Sequence, residues 1–195
     1  MPSLESEFKL YFKQHQIPYE DHSSSLKKLD FSFGDPKAKT YFCFDVKEKR
    51  QHYTKQNWQQ VDIPEQYLFI LDDLSARKIL AYAPNSGLVI RDNVHQKYYF
   101  FTVVDLYLMP KKRVNRVIKK QVETQKGKWL IDLRNGRTCT NLLEIFEAIE
   151  SYLKDRENIF LHTLDCYGKY FGEEIGQGGI PRKPAHWEVD VKETR

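Results

Sequence analysis

The feature that most constrains this chain is an alternation of apolar and polar residues on both sides of a short turn. We predict two β-strands, from residue 29 to 33 and from 40 to 47, because aromatic and β-branched residues recur there at every second position. Gly34 and Pro36 lie between them and are typical of a turn. The pattern therefore predicts an antiparallel hairpin with one apolar face and one charged face.

The charged face of this hairpin brings acidic residues together. Phe42 and Phe44 share the apolar face of the second strand, whereas Asp45 and Lys47 share the other face. If the turn is centred between residues 37 and 38, Asp30 lies directly opposite Asp45, with the Cβ atoms roughly 5 Å apart. Two carboxylates at that separation repel each other unless a proton or a cation lies between them. Their oxygens suit a hard divalent cation such as magnesium.

This spacing resembles that of the PD-(D/E)xK nuclease superfamily, which has the restriction-endonuclease-like fold. The hairpin of that family carries an Asp on its first strand and Asp/Glu-x-Lys on its second, which correspond here to Asp30 and to Asp45 with Lys47. The proline that often precedes the first Asp is replaced by Leu29. Asp35 does adjoin a proline, but it lies in the turn, about 16 Å along the strand from the acidic pair. The alternative interpretation is that the charges only protect a sheet edge.

A helix is predicted from residue 3 to 16, with Ser3 as its N-cap and acidic residues in its first turn. At 100° per residue, Glu5 lies at the edge of the apolar face beside Phe8 and Phe12, whereas Glu7 lies beyond the opposite edge. Many PD-(D/E)xK nucleases, Holliday-junction resolvases among them, place a Glu on this helix. The resemblance therefore implies Glu5 as a further residue of the metal site. The alternative is that both acids only stabilise the helix dipole.

The net charge of +4 is unevenly distributed along the chain. Residues 109–128 include eight basic residues and a single acidic one, Glu123, so this segment carries +7 and the remainder −3. Val114, Val117 and Ile118 recur at helical spacing, which predicts a basic amphipathic helix that begins near Pro110.

This basic segment supplies the candidate nucleic-acid-binding residues: Lys111, Lys112, Arg113, Arg116, Lys119 and Lys120. Lysine and arginine side chains can bind phosphates without reading the base sequence. One alternative is an ordinary solvated basic face. Another is an anionic membrane surface, which the lack of large aromatic residues on the apolar face disfavours.

The rest of the chain predicts a mixture of strands and helices. We expect a central strand from 66 to 71 buried on both faces, a turn at Asp72 and Asp73, and strands from 78 to 83, 88 to 91, 97 to 104 and 128 to 133. A helix is predicted from 140 to 154 and a short strand from 159 to 164. This order resembles an α/β (α+β) restriction-endonuclease-like core, a mixed central sheet flanked by helices, with a β-rich insertion.

The domain organisation and location follow from length and composition. At 195 residues we predict a single nuclease-like domain over residues 1–164, with a Gly-rich C-terminal loop or tail over 165–195 packed on or near it. Long apolar runs and a signal-peptide pattern are both missing from the sequence. The three cysteines are widely spaced and match neither a disulfide framework nor a zinc site. We therefore expect a cytoplasmic protein.

The resemblance implies a magnesium-dependent endonuclease, a hydrolase of DNA phosphodiester bonds in which manganese can replace magnesium. Asp30, Asp45 and Glu5 would hold the metal, and Lys47 would orient the attacking water or stabilise developing charge. A homodimer would provide one site for each strand, and RNA stays open as a substrate beside DNA. The main alternative is a catalytically inactive module of the same fold that binds nucleic acid or takes part in assembly. A further alternative is a protein-interaction domain whose basic segment binds an acidic partner.

Overall fold

The computed structural model describes residues 2–35, 37, 40–54, 56–58, 61–118, 121–166 and 168–173, with the backbone alone at 116–118, 121–126 and 164. Within these ranges the helices are α1 (Leu4–Gln14), α2 (Asp73–Ala81), α3 (Val103–Leu108) and α4 (Leu142–Leu161). The strands are β1 (Tyr19–Asp21), β2 (Phe31–Phe33), β3 (Phe42–Lys49), β4 (Leu68–Asp72), β5 (Ser86–Asp92), β6 (Lys97–Thr102), β7 (Lys112–Ile118), β8 (Gln121–Asp132) and β9 (Arg137–Cys139). None of the described helices has both the length and the apolar character needed to span a membrane.

The strands form two sheets. The larger sheet has the order β1-β2-β3-β5-β6-β9, and the smaller has the order β4-β8-β7. Strand β3 is antiparallel to β2 and parallel to β5, so the larger sheet is mixed. A parallel pair needs a long crossover connection, which here contains β4 and α2. The predicted fold class, a mixed central sheet flanked by helices, is confirmed.

Strand β3 is buried on both faces, which determines the surroundings of the candidate site. Phe42, Phe44 and Val46 pack with α1 and α4 in an aromatic core. Cys43 faces a second core, which contains residues of α2, α3 and the smaller sheet. The predicted hairpin and its apolar face are therefore confirmed. The second face was predicted to be charged, and it is, but the smaller sheet and α2 cover it, so Asp45 is 0% exposed.

The prediction of a helix in the basic segment is wrong. Residues 112–118 form β7, which pairs antiparallel with β8. Val114, Val117 and Ile118 are β-branched, and such residues favour strands. Their spacing fits a helix, but pairing with β8 provides the backbone hydrogen bonds of a strand instead. The predicted strand from 128 to 133 is the second half of β8.

The segment from 66 to 83 also differs from its prediction. Strand β4 exists, but among the described strands it pairs only with β8, at an edge of the smaller sheet. Asp72 and Asp73 lie at the N-terminus of α2 rather than in a hairpin turn, and the predicted strand from 78 to 83 falls on this helix and its C-terminal end. Ser75, Ala76 and Ile79 are buried along one helix face. Packing of this face decides the local structure in favour of a helix.

The two terminal helices were largely predicted. Helix α1 begins after Ser3, whose hydroxyl accepts a hydrogen bond from the backbone N–H of Ser6 (3.2 Å). Helix α4 is longer than predicted, so the strand predicted from 159 to 164 is wrong.

Further along the chain, the backbone N–H of Phe171 donates to the side-chain oxygen of Asn135 (2.7 Å). The domain division at residues 164 and 165 stays a prediction, and residues 174–195 of the predicted loop lie outside the described residues.

Candidate metal centre

The hairpin brings Asp30 and Asp45 together in the predicted register. Phe31 pairs with Phe44, so Asp30, one residue before β2, lies opposite Asp45 on β3. One oxygen of Asp30 accepts a hydrogen bond from the backbone N–H of Val46 (2.9 Å), which fixes this carboxylate against β3. The two arms of the hairpin therefore each contribute one acid to the same place.

Two other acids considered from the sequence are engaged elsewhere. Asp35 accepts a hydrogen bond from the backbone N–H of Lys37 within the turn (2.9 Å). Glu7 accepts hydrogen bonds from the guanidinium of Arg91 (2.7 Å) and the hydroxyl of Tyr98 (2.5 Å). Asp35 and Glu7 are thus engaged in other contacts, and the choice of Asp30 and Glu5 as site residues stays a prediction.

The carboxylate of Asp45 is completely buried, and among the described residues neither of its oxygens has a hydrogen-bond partner. Two ammonium groups nevertheless lie near these oxygens as ion-pair partners. The Nζ atom of Lys47 is 2.7 Å from Oδ2 and that of Lys78 is 3.7 Å from Oδ1. The Nζ of Lys47 is also 3.5 Å from Oδ2 of Asp30. Because a buried charge without hydrogen bonds is costly, Asp45 depends on neighbouring cations.

Burial dominates the electrostatics of the cluster. Burial and the adjacent charge of Asp45 raise the pKa of Asp30 to about 6. Burial alone would lower the pKa of Lys47, but the carboxylates of Asp45 and Asp30 outweigh this effect and raise it. The lysine is therefore protonated at neutral pH, and its charge is still too little to hold the pKa of Asp30 in the usual range for an aspartate.

Lys78 is a residue of this cluster that the sequence analysis missed. It lies on α2, and its ammonium donates a hydrogen bond to the backbone carbonyl of Lys28 (2.9 Å), just before Asp30. The available signal was its position three residues after Ser75, on the buried face of a helix. That signal has meaning only once the segment is recognised as helical.

Glu5 lies in the first turn of α1 and is half-buried. Together with Lys47 and Arg50 it lines a cavity of about 370 Å³. It does not complete a three-acid cluster with Asp30 and Asp45: in the described part of the chain no group of three or more acidic, histidine or cysteine side chains could hold a metal ion. The structure therefore places Glu5 near the lysine of the site and not beside the acidic pair.

The acidic pair nevertheless fits a magnesium ion. Magnesium is commonly bound through one or two carboxylates and keeps several water ligands, so a third protein ligand is not required. Asp30 and Asp45 lie opposite each other on the hairpin, and both supply hard oxygen donors. A bound cation would compete with the ammonium groups of Lys47 and Lys78 for the oxygens of Asp45.

The six candidate nucleic-acid-binding residues are not equivalent. The ammonium of Lys111 lies 5.3 Å from the centre of the Trp129 ring, and burial lowers its pKa. The guanidinium of Arg113 is 2.8 Å from a carboxylate oxygen of Asp73. Both side chains are therefore engaged within the protein. The others are Lys112, which is exposed, Arg116, whose backbone lies in β7, and Lys119 and Lys120, which are outside the described residues.

Comparison with known proteins gives likenesses in structure only. No protein-family model matches the chain, and no curated protein matches it in sequence. The chain is similar to Hjc, a Holliday junction resolvase from the archaeal hyperthermophile Archaeoglobus fulgidus, with a TM-score of 0.39 and 13% identity over 68% of this chain and 93% of that chain. It is also similar to D212, a nuclease from a fusselovirus, with a TM-score of 0.42 and 9% identity over 80% of this chain and 97% of that chain.

Proposed function

We propose that the protein is a metal-dependent endonuclease that hydrolyses DNA phosphodiester bonds, with magnesium held by Asp30 and Asp45. The observation that best supports this proposal is the buried carboxylate of Asp45, which faces a second acid and lacks hydrogen bonds among the described residues. Replacing a buried ion pair with well-packed apolar residues is often neutral or stabilising, so a purely structural role gives no reason for an acid here. A hard divalent cation would satisfy both acids at once.

The roles of the other residues follow from their positions. A divalent cation at the acidic pair would supply Lewis-acid stabilisation of a phosphate oxygen. The ammonium of Lys47, 2.7 Å from Asp45, would orient the attacking water or donate to a phosphate oxygen as negative charge develops. Glu5, which lines the same cavity as Lys47, would assist through a water. Manganese would replace magnesium because it accepts the same oxygen ligands.

The basic segment would hold the nucleic acid. Its charge of +7 against −3 elsewhere favours a local phosphate-binding surface. DNA is the proposed substrate, and RNA is the alternative that the assay below must include. A homodimer with one site for each strand also stays a prediction, which light scattering of the purified protein would test.

The decisive experiment is cleavage of a supercoiled plasmid, a single-stranded DNA circle and an RNA of similar length, with magnesium or manganese. The wild type should cut DNA, and Asp45→Asn should not. Asp35→Asn, which removes a carboxylate from the turn of the same hairpin, is the matched control and should cut at the wild-type rate. An inactive wild type with both metals, or equal cutting by Asp45→Asn, would contradict the proposal.

A second candidate is a catalytically inactive module that binds nucleic acid or takes part in assembly. One observation favours it: Lys47 and Lys78 both lie within 4 Å of Asp45 and could neutralise it permanently. In that case nucleic acid would bind equally well with EDTA and with magnesium, and neither metal would raise the melting temperature.

A further inference from the structure

The outer half of the β7–β8 hairpin extends beyond the smaller sheet as a two-stranded ribbon. Strand β4 pairs with β8 only as far as the Asp72–Lys128 pair. Strand β7 continues to pair with β8 as far as Gln125, and after a register shift between Val117 and Ile118 the last pair joins Ile118 to Gln121. Among the described strands, residues 121–127 are therefore paired on one edge alone. Strand β7 contributes only residues 115–118 to this part, so at about 3.3 Å per residue the free part of the ribbon is roughly 10 Å long.

The register of this ribbon places basic residues together on one face. Lys112 and Arg116 are four residues apart on β7 and so belong to the same face. Lys126 lies opposite Arg116, and Lys128 lies opposite Val114, and residues that oppose each other share a face. This set, positions 112, 116, 126 and 128, is called the basic face below. The paired ranges that carry the basic face, residues 112–117 of β7 and 125–130 of β8, contain no acidic residue.

The charge balance changes from the base of the ribbon to its outer part. At the base, Lys128 forms an ion pair with Asp72 of β4. Further out, Arg116 and Lys126 are directly opposite each other. Like charges in this arrangement destabilise an antiparallel pair. Within residues 112–117 and 125–130 the two strands carry no acidic residue, and a bound polyanion would supply the opposite charge.

We propose that the basic face lies in the major groove of duplex DNA and binds the phosphates on either side of the groove. This inference rests on the proposed function and specifies how the substrate is held. The major groove of B-form DNA is about 12 Å wide and admits a two-stranded β-ribbon, whereas the major groove of an RNA duplex is deep and narrow. Because the ribbon carries basic residues on both strands, Lys112 and Arg116 on β7 and Lys126 on β8, it would bind phosphates from both edges of the groove.

Helix α2 connects this ribbon to the metal centre. Asp73, its first residue, accepts a hydrogen bond from the indole N–H of Trp129 (2.8 Å) and pairs with Arg113 at the base of the ribbon. Lys78, five residues later and about 7.5 Å further along the helix axis, is 3.7 Å from Asp45. Helix α2 therefore contacts both the base of the ribbon, which would hold the duplex, and the acidic pair.

The test is the binding of a fluorescent DNA duplex to the full chain in EDTA, where cleavage plays no part, over a range of salt concentrations. Each phosphate contact contributes about 0.9 to the slope of log K against log salt. The double variant Arg116→Gln, Lys126→Gln should lower that slope by about 2 and the affinity roughly 10- to 100-fold near 0.1 M salt. The matched control, Lys97→Gln with Arg137→Gln, removes the same charges from β6 and β9 and should bind like the wild type.

A melting curve distinguishes loss of binding from damage to the fold. Because the ribbon variant removes two opposed like charges, it should melt at the same temperature as the wild type or higher. An RNA duplex of the same sequence should bind about tenfold more weakly than the DNA duplex. An unchanged slope in the ribbon variant, an equal loss in the control variant, or equally tight binding of the RNA duplex would each overturn the proposal.

The proposed DNA binding by the ribbon and the proposed nuclease activity can be disproved independently. If the wild type binds duplex DNA through the ribbon but never cuts it, the proposed role of the ribbon is supported and the proposed nuclease activity is wrong. If the protein cuts DNA and the ribbon variant retains both its rate of cutting and its affinity, only the ribbon assignment is wrong.

Discussion

The ammonium of Lys78, on α2, lies 3.7 Å from the buried carboxylate of Asp45, on β3. This contact joins two residues that are 33 positions apart in the chain and places a second cation beside an acid that Lys47 already approaches. It has opposite consequences for the protein with and without a metal ion. Without metal it offsets the charge of Asp45, and with metal it competes for the same carboxylate.

Lys78→Met should therefore lower the stability of the metal-free protein and tighten metal binding. Loss of one cation near Asp45 should lower the melting temperature in EDTA, and the remaining site should bind magnesium roughly tenfold more tightly because a repulsive charge is gone. Thermal melts at increasing magnesium concentration measure both effects. Lys154→Met, on α4, is the control for loss of a lysine, and a Lys78→Met protein with unchanged magnesium affinity would contradict the argument.

The raised pKa of Asp30 predicts a pH dependence of stability in EDTA. A carboxyl whose pKa is about 6 when folded, against the ordinary aspartate value of 3.8, favours the folded state while it is protonated. Its contribution is complete below pH 4 and is lost as the pH rises through 6. At about 1.4 kcal/mol per pKa unit this amounts to at most about 3 kcal/mol.

Urea unfolding of the wild type and Asp30→Asn between pH 4 and pH 7 isolates this contribution. The free energy of unfolding of the wild type, minus that of the variant, should fall as the pH rises. Asp35→Asn corrects for the general effect of removing a carboxylate. A difference between wild type and Asp30→Asn that is constant or increases with pH would show that Asp30 does not titrate in this way.

The acidic pair could be predicted because a hairpin is a local structure. Once the turn is centred between residues 37 and 38, the register alone places Asp30 opposite Asp45. The burial of Asp45 could not be predicted in this way. It depends on Leu71, Ile79 and Trp129, which reach the second core from three other elements.

The basic segment shows why the period of a short apolar pattern can mislead. Val114, Val117 and Ile118 fit one face of a helix, yet all three are β-branched and favour a strand. The choice between the two depends on the partner strand β8, which lies later in the sequence. The error mattered for function, because only the strand register shows that Arg116 and Lys126 oppose each other.

Binding of magnesium should stabilise the wild type and leave Asp45→Asn unaffected. A ligand that binds only the folded protein stabilises it by about 2.7 kcal/mol at one hundred times its Kd. The measurement is the melting temperature in EDTA and in saturating magnesium or manganese. Asp35→Asn should shift like the wild type, and a shift in Asp45→Asn as large as in the wild type would place the bound metal elsewhere.

Lys47→Met should separate catalysis from metal binding. The ammonium of Lys47 is 2.7 Å from Asp45 and 3.5 Å from Asp30, so its removal takes a competing positive charge away from both acids. The magnesium-dependent rise in melting temperature should therefore persist or increase, while the rate of DNA cleavage should fall about 100- to 1,000-fold, the usual effect of losing a group that stabilises developing charge. Lys154→Met again serves as the control. Loss of both cleavage and the magnesium shift in Lys47→Met would instead mean that the lysine is needed to assemble the acidic pair, and unchanged cleavage would remove it from the catalytic site.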